Sequence, residues 1–110
     1  MLIIRPDLTI EISKYDNVKI AYCLDNDYKL TDGDKVIFQI RNRCQDIILT
    51  KVVKEFQDGV AYIHLTNNDT GKLDIRSYSY DIKVVAPTIS LSSTMITQRN
   101  FVVKGGIAND

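Results

Sequence analysis

Tryptophan is absent from this 110-residue chain, histidine occurs once, and cysteine and proline occur twice each. Each scarcity removes a class of chemistry. With His64 as the sole imidazole, any Ser-His-Asp or Cys-His mechanism would rest on a residue inside a strand-like run, away from the loops where catalytic groups concentrate. By parity with Ala61, Ile63 and Leu65 it points outward, as a solvent-facing strand residue. Cys23 and Cys44 have neither CxxC spacing nor companions enough for a metal cage, and no basic cluster activates either thiol. Both are expected to be reduced, small and buried. Charge of one sign is missing too. Fourteen Lys and Arg balance fourteen Asp and Glu, so no long-range positive field forms and neither nucleic acid nor an anionic membrane is expected as a partner. Long apolar runs are also missing: MLIIRPDLTI breaks at Arg5-Pro6-Asp7, far short of a signal-peptide core or a membrane span, and points to a chain made in the cytosol without a signal peptide. The sequon Asn68-Asp69-Thr70 then reads as loop chemistry.

What is present is a globular β pattern. Hydrophobic residues make up 45% and charged residues 25%, too apolar for a disordered chain. A chain of this length can bury roughly two-thirds of its unfolded surface without staples. No repeat or linker divides it, so residues 1–110 are expected to fold as one domain, with a flexible tail at 105–110. Short runs of β-branched and aromatic residues, separated by Asp-Gly, Asn-rich or Pro-bearing punctuation, place strands near 2–4 and 8–12, 18–24, 28–31, 35–42, 46–56, 60–66, 77–86 and 94–104. The expected class is all-β, an immunoglobulin-like antiparallel β-sandwich.

Three runs carry this reading. Between Lys35 and Arg41, Val36, Phe38 and Ile40 share one face of a half-buried strand. Asp58-Gly59 suits the centre of a two-residue hairpin, which would pair Phe56 with Ala61, Lys54 with Ile63 and Val52 with Leu65; Lys54 then needs an edge or a bulge. From Tyr78 the positions Tyr78, Tyr80, Ile82 and Val84 form a buried face opposite Ser77, Ser79, Asp81 and Lys83. Tyr78 sits where a sandwich places its tyrosine corner, so its hydroxyl is expected to reach back to backbone near Leu73 or Asp74 and pin a crossover between sheets. Leu73, Tyr78 and Tyr80 are the structural corner.

Binding constellations are few. The stretch DNDYKLTDGD, with Asp25, Asp27, Asp32 and Asp34, fails as an EF-hand started at Asp25, because Lys29, Leu30 and Val36 occupy positions that need a ligand oxygen, a glycine and a glutamate. Turn-forming aspartates are the reading there, and TNNDTGKL is a connection rich in Asx-turn residues. No catalytic, metal or cofactor-binding residue is assigned, and no small molecule is expected. A carbohydrate-binding module is the competing possibility, with Tyr15, Tyr22, Tyr28 and Tyr62 left for ring stacking once Phe38, Tyr78, Tyr80 and Phe101 go to the core. The amino-terminal LIIRPDLTIEI is a candidate interaction edge over residues 1–12: Pro6 interrupts it, as edge strands allow, and Ile3, Ile4, Leu8, Ile10 and Ile12 offer apolar surface for docking or self-association into a homo-oligomer.

In order along the chain, TDGDKVIFQIRN, a strand pair around Asp58-Gly59, LTNNDTGKL, SYSYDIKVV and ITQRNFVVKGGI resemble the N-terminal domain of phage baseplate upper proteins, and related small prophage tail proteins look similar. The likeness covers about residues 28–107 and is carried by Gly33-Asp34, Asp58-Gly59, Asp69-Thr70, Leu73, Tyr78, Tyr80-Asp81 and Phe101. The resemblance implies a non-enzymatic immunoglobulin-like module of a bacteriophage or prophage tail, made in the bacterial cytoplasm and incorporated into the virion. Its partners would be other tail and baseplate proteins, and it would need no cofactor. Members of that family usually continue into regions for trimerisation and receptor attachment, which this sequence does not show after Gly105. The expectation is therefore an adaptor that works by assembly.

Overall fold

The computed structural model describes residues 2–24 and 28–105. They form a mostly β chain: β1 (Ile3–Ile4), β2 (Ile10–Ser13), β3 (Val18–Tyr22), β4 (Lys35–Arg41), β5 (Ile47–Val53), β6 (Ala61–Leu65), helix α1 (Asn67–Gly71), β7 (Ser77–Ala86), a 3₁₀ turn (Pro87–Ile89) and β8 (Leu91–Lys104). Six strands make one mixed sheet in the order β1-β2-β8-β7-β4-β5, and β3 pairs with β6 in a separate antiparallel sheet. Beyond Gly105, the tail expected at 105–110 lies outside the described residues.

Period-two alternation produces these strands, and the buried parity from both sheets meets in one core. Val36, Phe38 and Ile40 of β4, Tyr78, Tyr80, Ile82 and Val84 of β7, and Ala61, Ile63 and Leu65 of β6 all belong to it, as do Val18 and Ile20 of β3. At its centre the rings of Phe38, Tyr80 and Phe101 pack with centroids 5.5–6.3 Å apart.

Four expectations need correction. The large sheet is not antiparallel throughout: β2 runs parallel to β8, with Ile10 beside Phe101 and Ile12 beside Val103. Parallel neighbours need a long connection, and nearly the whole chain lies between these two. The pairing also removes Ile10 and Ile12 from the candidate edge. Each is 1% exposed and part of the core, because β2 is flanked by β1 and β8. Only the two-residue β1 forms that rim, with Ile3 and Ile4 exposed.

Residues 28–31 do not form a strand. Tyr28 and Leu30 pack inward, and a turn at 31–34 is closed by the amide of Asp34 on the Thr31 carbonyl and by the Thr31 amide on the Asp34 carboxylate. Asp58 and Gly59 do take positive φ, +51° and +79°, but only the Gln57–Val60 closing pair forms. Instead of making a hairpin, the turn carries the chain from β5 in one sheet to β6 in the other, which leaves Lys54 exposed and outside any ladder. The connection TNNDTGKL contains α1, whose N-cap Thr66 accepts from the Asp69 amide at 3.2 Å while Asp69 accepts from the Thr66 amide at 2.9 Å. Burial pushes the Asp69 carboxyl up, but the Lys51 ammonium at 2.7 Å and the Thr66 donors outweigh it and hold the group below its usual range.

The passage from β6 to β7 is fastened at several points. The Asp74 amide donates to the Tyr78 hydroxyl at 2.9 Å, buried Thr70 donates to the Asp16 carbonyl at 2.7 Å, and Lys14 donates to the carbonyls of Gly71 and Leu73. On the outward face of β2, Glu11 is 7% exposed and lies between Arg5 and Lys104, at 2.5 and 2.7 Å. Their hydrogen bonds, Arg5 first, hold its carboxyl at about 2 against an ordinary 4.5. Because the folded value lies below the unfolded one, this stabilisation is complete above about pH 4.5 and is lost as pH falls towards 2. Melting temperature between pH 7 and 2 should therefore fall more steeply for the native chain than for Glu11→Gln; parallel curves would remove Glu11 from the acid response.

Candidate functional site

β2 and β8 are paired only between residues 10–13 and 101–104. Over residues 91–100, β8 keeps β7 on one side and, among the described residues, no strand on the other. A groove with a cavity volume of about 1040 Å³ lies here. Tyr80 and Ile82 of β7, Ile10 of β2 and Ile20 of β3 supply its buried residues, while Ile4 and Leu8 contribute from the amino-terminal side. Ile89, Leu91, Met95 and Ile96 come from the 3₁₀ turn and β8, and Tyr22, Cys23, Leu24 and Tyr28 from β3 and the segment after it.

Two bulges shape the β8 side. Ile82 faces Ile96 and Lys83 faces Thr94, so Met95 is an extra residue; Tyr80 faces Arg99, which leaves Thr97 and Gln98 opposite Asp81 alone. Gln98 takes φ +49°, and its amide is satisfied by the Asp81 carboxylate at 2.7 Å, which also accepts from Arg41 at 3.0 Å. Such bulges re-aim side chains. Met95 stands 43% exposed and Ile96 is partly buried, both on the groove.

Chemically the groove is almost featureless. Among the described residues, none that lines it is Asp, Glu, His, Lys or Arg. Burial pushes the Tyr80 phenol up to about 12, and its hydroxyl donates to the Leu8 carbonyl, tying the amino-terminal segment across the groove. The Tyr28 phenol is raised by its hydrogen bond to Asp34 and by burial, and donates to that carboxylate at 2.8 Å. Both hydroxyls remain protonated donors at neutral pH. What the groove can do is take up apolar surface.

No protein-family model, curated protein or solved structure matches the chain.

The other residues singled out in the sequence are scattered. His64 is exposed on β6, its Nε2 2.5 Å from Asn17 Oδ1. Cys23 and Cys44 are free, yet both are exposed rather than buried: Cys23 follows β3 at the groove wall, and Cys44 lies in the turn closed by Asn42 and Asp46. Of the four candidate stacking tyrosines, Tyr22 and Tyr28 meet at the groove. Tyr15 lies against Gly71, where a Cβ would come within 2.5 Å of its ring, and Tyr62 is exposed on β6, so the four form no common strip. Asp25 and Asp27 lie outside the described residues; Asp32 is exposed, and buried Asp34 accepts from Tyr28 and Thr31 through Oδ2. Among the described residues no three His, Cys, Asp or Glu side chains cluster as a metal site, and no helix is long and apolar enough to cross a membrane.

A second concavity of about 230 Å³ brings Asp69, Lys72, Asp74 and Arg76 together near Tyr78. Its carboxylates already have partners, Asp69 with Lys51 and Asp74 with Arg76. The large groove escaped sequence reading because its lining comes from separate stretches of chain. One signal was available: Ile89 and Leu91, between the strands expected at 77–86 and 94–104, are apolar residues that no strand alternation explains.

Proposed function

We propose that this chain is a non-enzymatic docking module, an immunoglobulin-like β-sandwich of a bacteriophage or prophage tail or baseplate, which holds a neighbouring virion protein in its apolar groove. The observation that carries the docking reading is a groove of about 1040 Å³ whose described lining residues carry no charge, bordered by ten residues of β8 (91–100) that, among the described residues, have no strand on one side. A charged occupant would lose its hydration there, and no described lining residue would supply a counter-charge. An extended uncharged segment with alternating apolar residues would fill the cavity and meet free backbone groups. The sandwich reading is supported by two sheets sharing one core and by the Tyr78 hydroxyl on Asp74; the virion and its partners come from the sequence resemblance of residues 28–107.

Ile89 and Met95 are 47% and 43% exposed, so charges placed there leave the core intact. In particles assembled from a deletion background with the chain supplied in trans, Ile89→Glu/Met95→Glu should enter purified virions about tenfold less than the native chain, the consequence of at least about 1.4 kcal/mol lost from docking. His64→Ala should enter normally. Equal incorporation of the double variant, or absence of the native chain from virions, would falsify the proposal. Tyr22 and Tyr28 at the groove keep a carbohydrate-binding reading in play, and selective glycan-array binding abolished by Tyr22→Ala, with incorporation unchanged, would favour it.

A further inference from the structure

We propose, resting on the docking reading, that a kink at Leu8 latched by the Tyr80 hydroxyl keeps the groove open, and that residues 7–9 close it by straightening into β2 and pairing with β8. The chain would then regulate its own docking edge.

β2 begins at Ile10, opposite Phe101, and runs parallel to β8. Residues 7–9 are therefore the stretch that would continue β2 along the part of β8 that no described strand pairs, with Thr9 beside Asn100 and Leu8 beside Arg99. They turn away instead. Leu8 takes φ +70°, and the chain returns to β1 with the Leu8 amide on the Arg5 carbonyl and the Arg5 amide on the Thr9 carbonyl. Ile4 and Leu8 consequently line the groove rather than fill the edge. Pro6 has no amide for a ladder, so straightening stops at Asp7.

Two opposing effects of similar size meet at Leu8. A leucine in the left-handed region is disfavoured by a factor of roughly 5–30 against ordinary backbone. The bond from the Tyr80 hydroxyl to the Leu8 carbonyl favours the kink by a factor of roughly 2–13. Straightening would exchange the turn's own hydrogen bonds for ladder bonds to β8, and β1 is held at the rim by two ladder pairs and the ion pair of Arg5 with Glu11. The kink is close to balance. Strain held in place by a single bond beside a binding surface makes a two-state element, in which an incoming strand and residues 7–9 compete for one edge.

Tyr80→Phe keeps the ring against Phe38 and Phe101 and removes the latch. In NMR spectra of this variant, the strong amide-to-Hα NOE within Leu8 that a positive φ produces should weaken, and NOEs of Leu8 to Arg99 and of Thr9 to Asn100 should appear. Tyr80→Phe should also enter virions about threefold less than the native chain, because the fraction of open groove has fallen. Glycine takes positive φ freely, so Leu8→Gly should remove the need for the latch. Leu8→Gly and Leu8→Gly/Tyr80→Phe should then be incorporated equally. A threefold loss that persists in the Leu8→Gly background would mean that Tyr80 acts through stability alone, which overturns the proposal. A native NOE pattern in Tyr80→Phe overturns it as well, as does normal incorporation of Tyr80→Phe while Ile89→Glu/Met95→Glu is excluded. Each of these results leaves docking standing, whereas equal incorporation of Ile89→Glu/Met95→Glu removes docking and the switch together.

Discussion

Phe38→Ala should remove about 3–5 kcal/mol of folding stability, a large part of the total available to a domain of this size. Phe38 is fully buried on β4, between β7 and β5, with Tyr80 and Phe101 as ring neighbours at 5.5 and 6.1 Å. How much a cavity costs depends on how far its walls can collapse. These walls are held. Tyr80 is anchored by its hydroxyl to the Leu8 carbonyl, and Phe101 is locked between β2 and β7 by pairing on both sides. The loss is therefore expected towards the upper end of the range, with Phe38→Leu losing clearly less because it fills much of the space. Urea unfolding at constant m-value measures both. A Phe38→Ala loss under about 1 kcal/mol would mean that the ring cluster is not the keystone of the core. Tyr80 also lines the groove, so the same substitution should loosen the docking surface while its exposed residues stay chemically intact.

The parts of this fold that were legible in sequence are the local ones. Alternation in residues 35–41, 61–65 and 77–86 identified the buried faces correctly, since a two-residue period requires no knowledge of the partner strand. The hydroxyl of Tyr78 reaches Asp74, four residues upstream, for the same reason. Partner choice was less accessible. Ile3, Ile4, Leu8, Ile10 and Ile12 looked alike as an apolar edge, and only the pairing of β2 with β8 separates the buried pair from the exposed ones. Asp58-Gly59 announced a turn but not whether its arms stay together, because β5 finds β4 and β6 finds β3. Helix α1 did carry a signal in Thr66 and Asp69, three apart. With five residues it shows no apolar periodicity to confirm a helix, and its asparagines read equally well as turns.

Gly59→Ala and Gly33→Ala should differ although both glycines have positive φ, +79° and +94°. At Gly33 an added Cβ meets nothing within 4 Å, so the substitution costs only the backbone strain, about 1 kcal/mol. At Gly59 the same atom would come within 2.7 Å of Lys29 Cβ and 2.9 Å of Lys29 Cα. The Cα belongs to backbone and cannot swing aside as a side-chain tip can. Nor can the segment withdraw freely, because Tyr28 is bonded to Asp34 and Leu30 is 3% exposed in the core. Gly59→Ala should accordingly cost about 2–4 kcal/mol, strain and collision together. Equal losses for the two variants would show that Lys29 yields. The contact also connects the turn to the groove. Relief of the collision must shift residues 28–30, and Tyr28 is a lining residue, so Gly59→Ala should weaken docking more than Gly33→Ala when both are compared below their unfolding transitions.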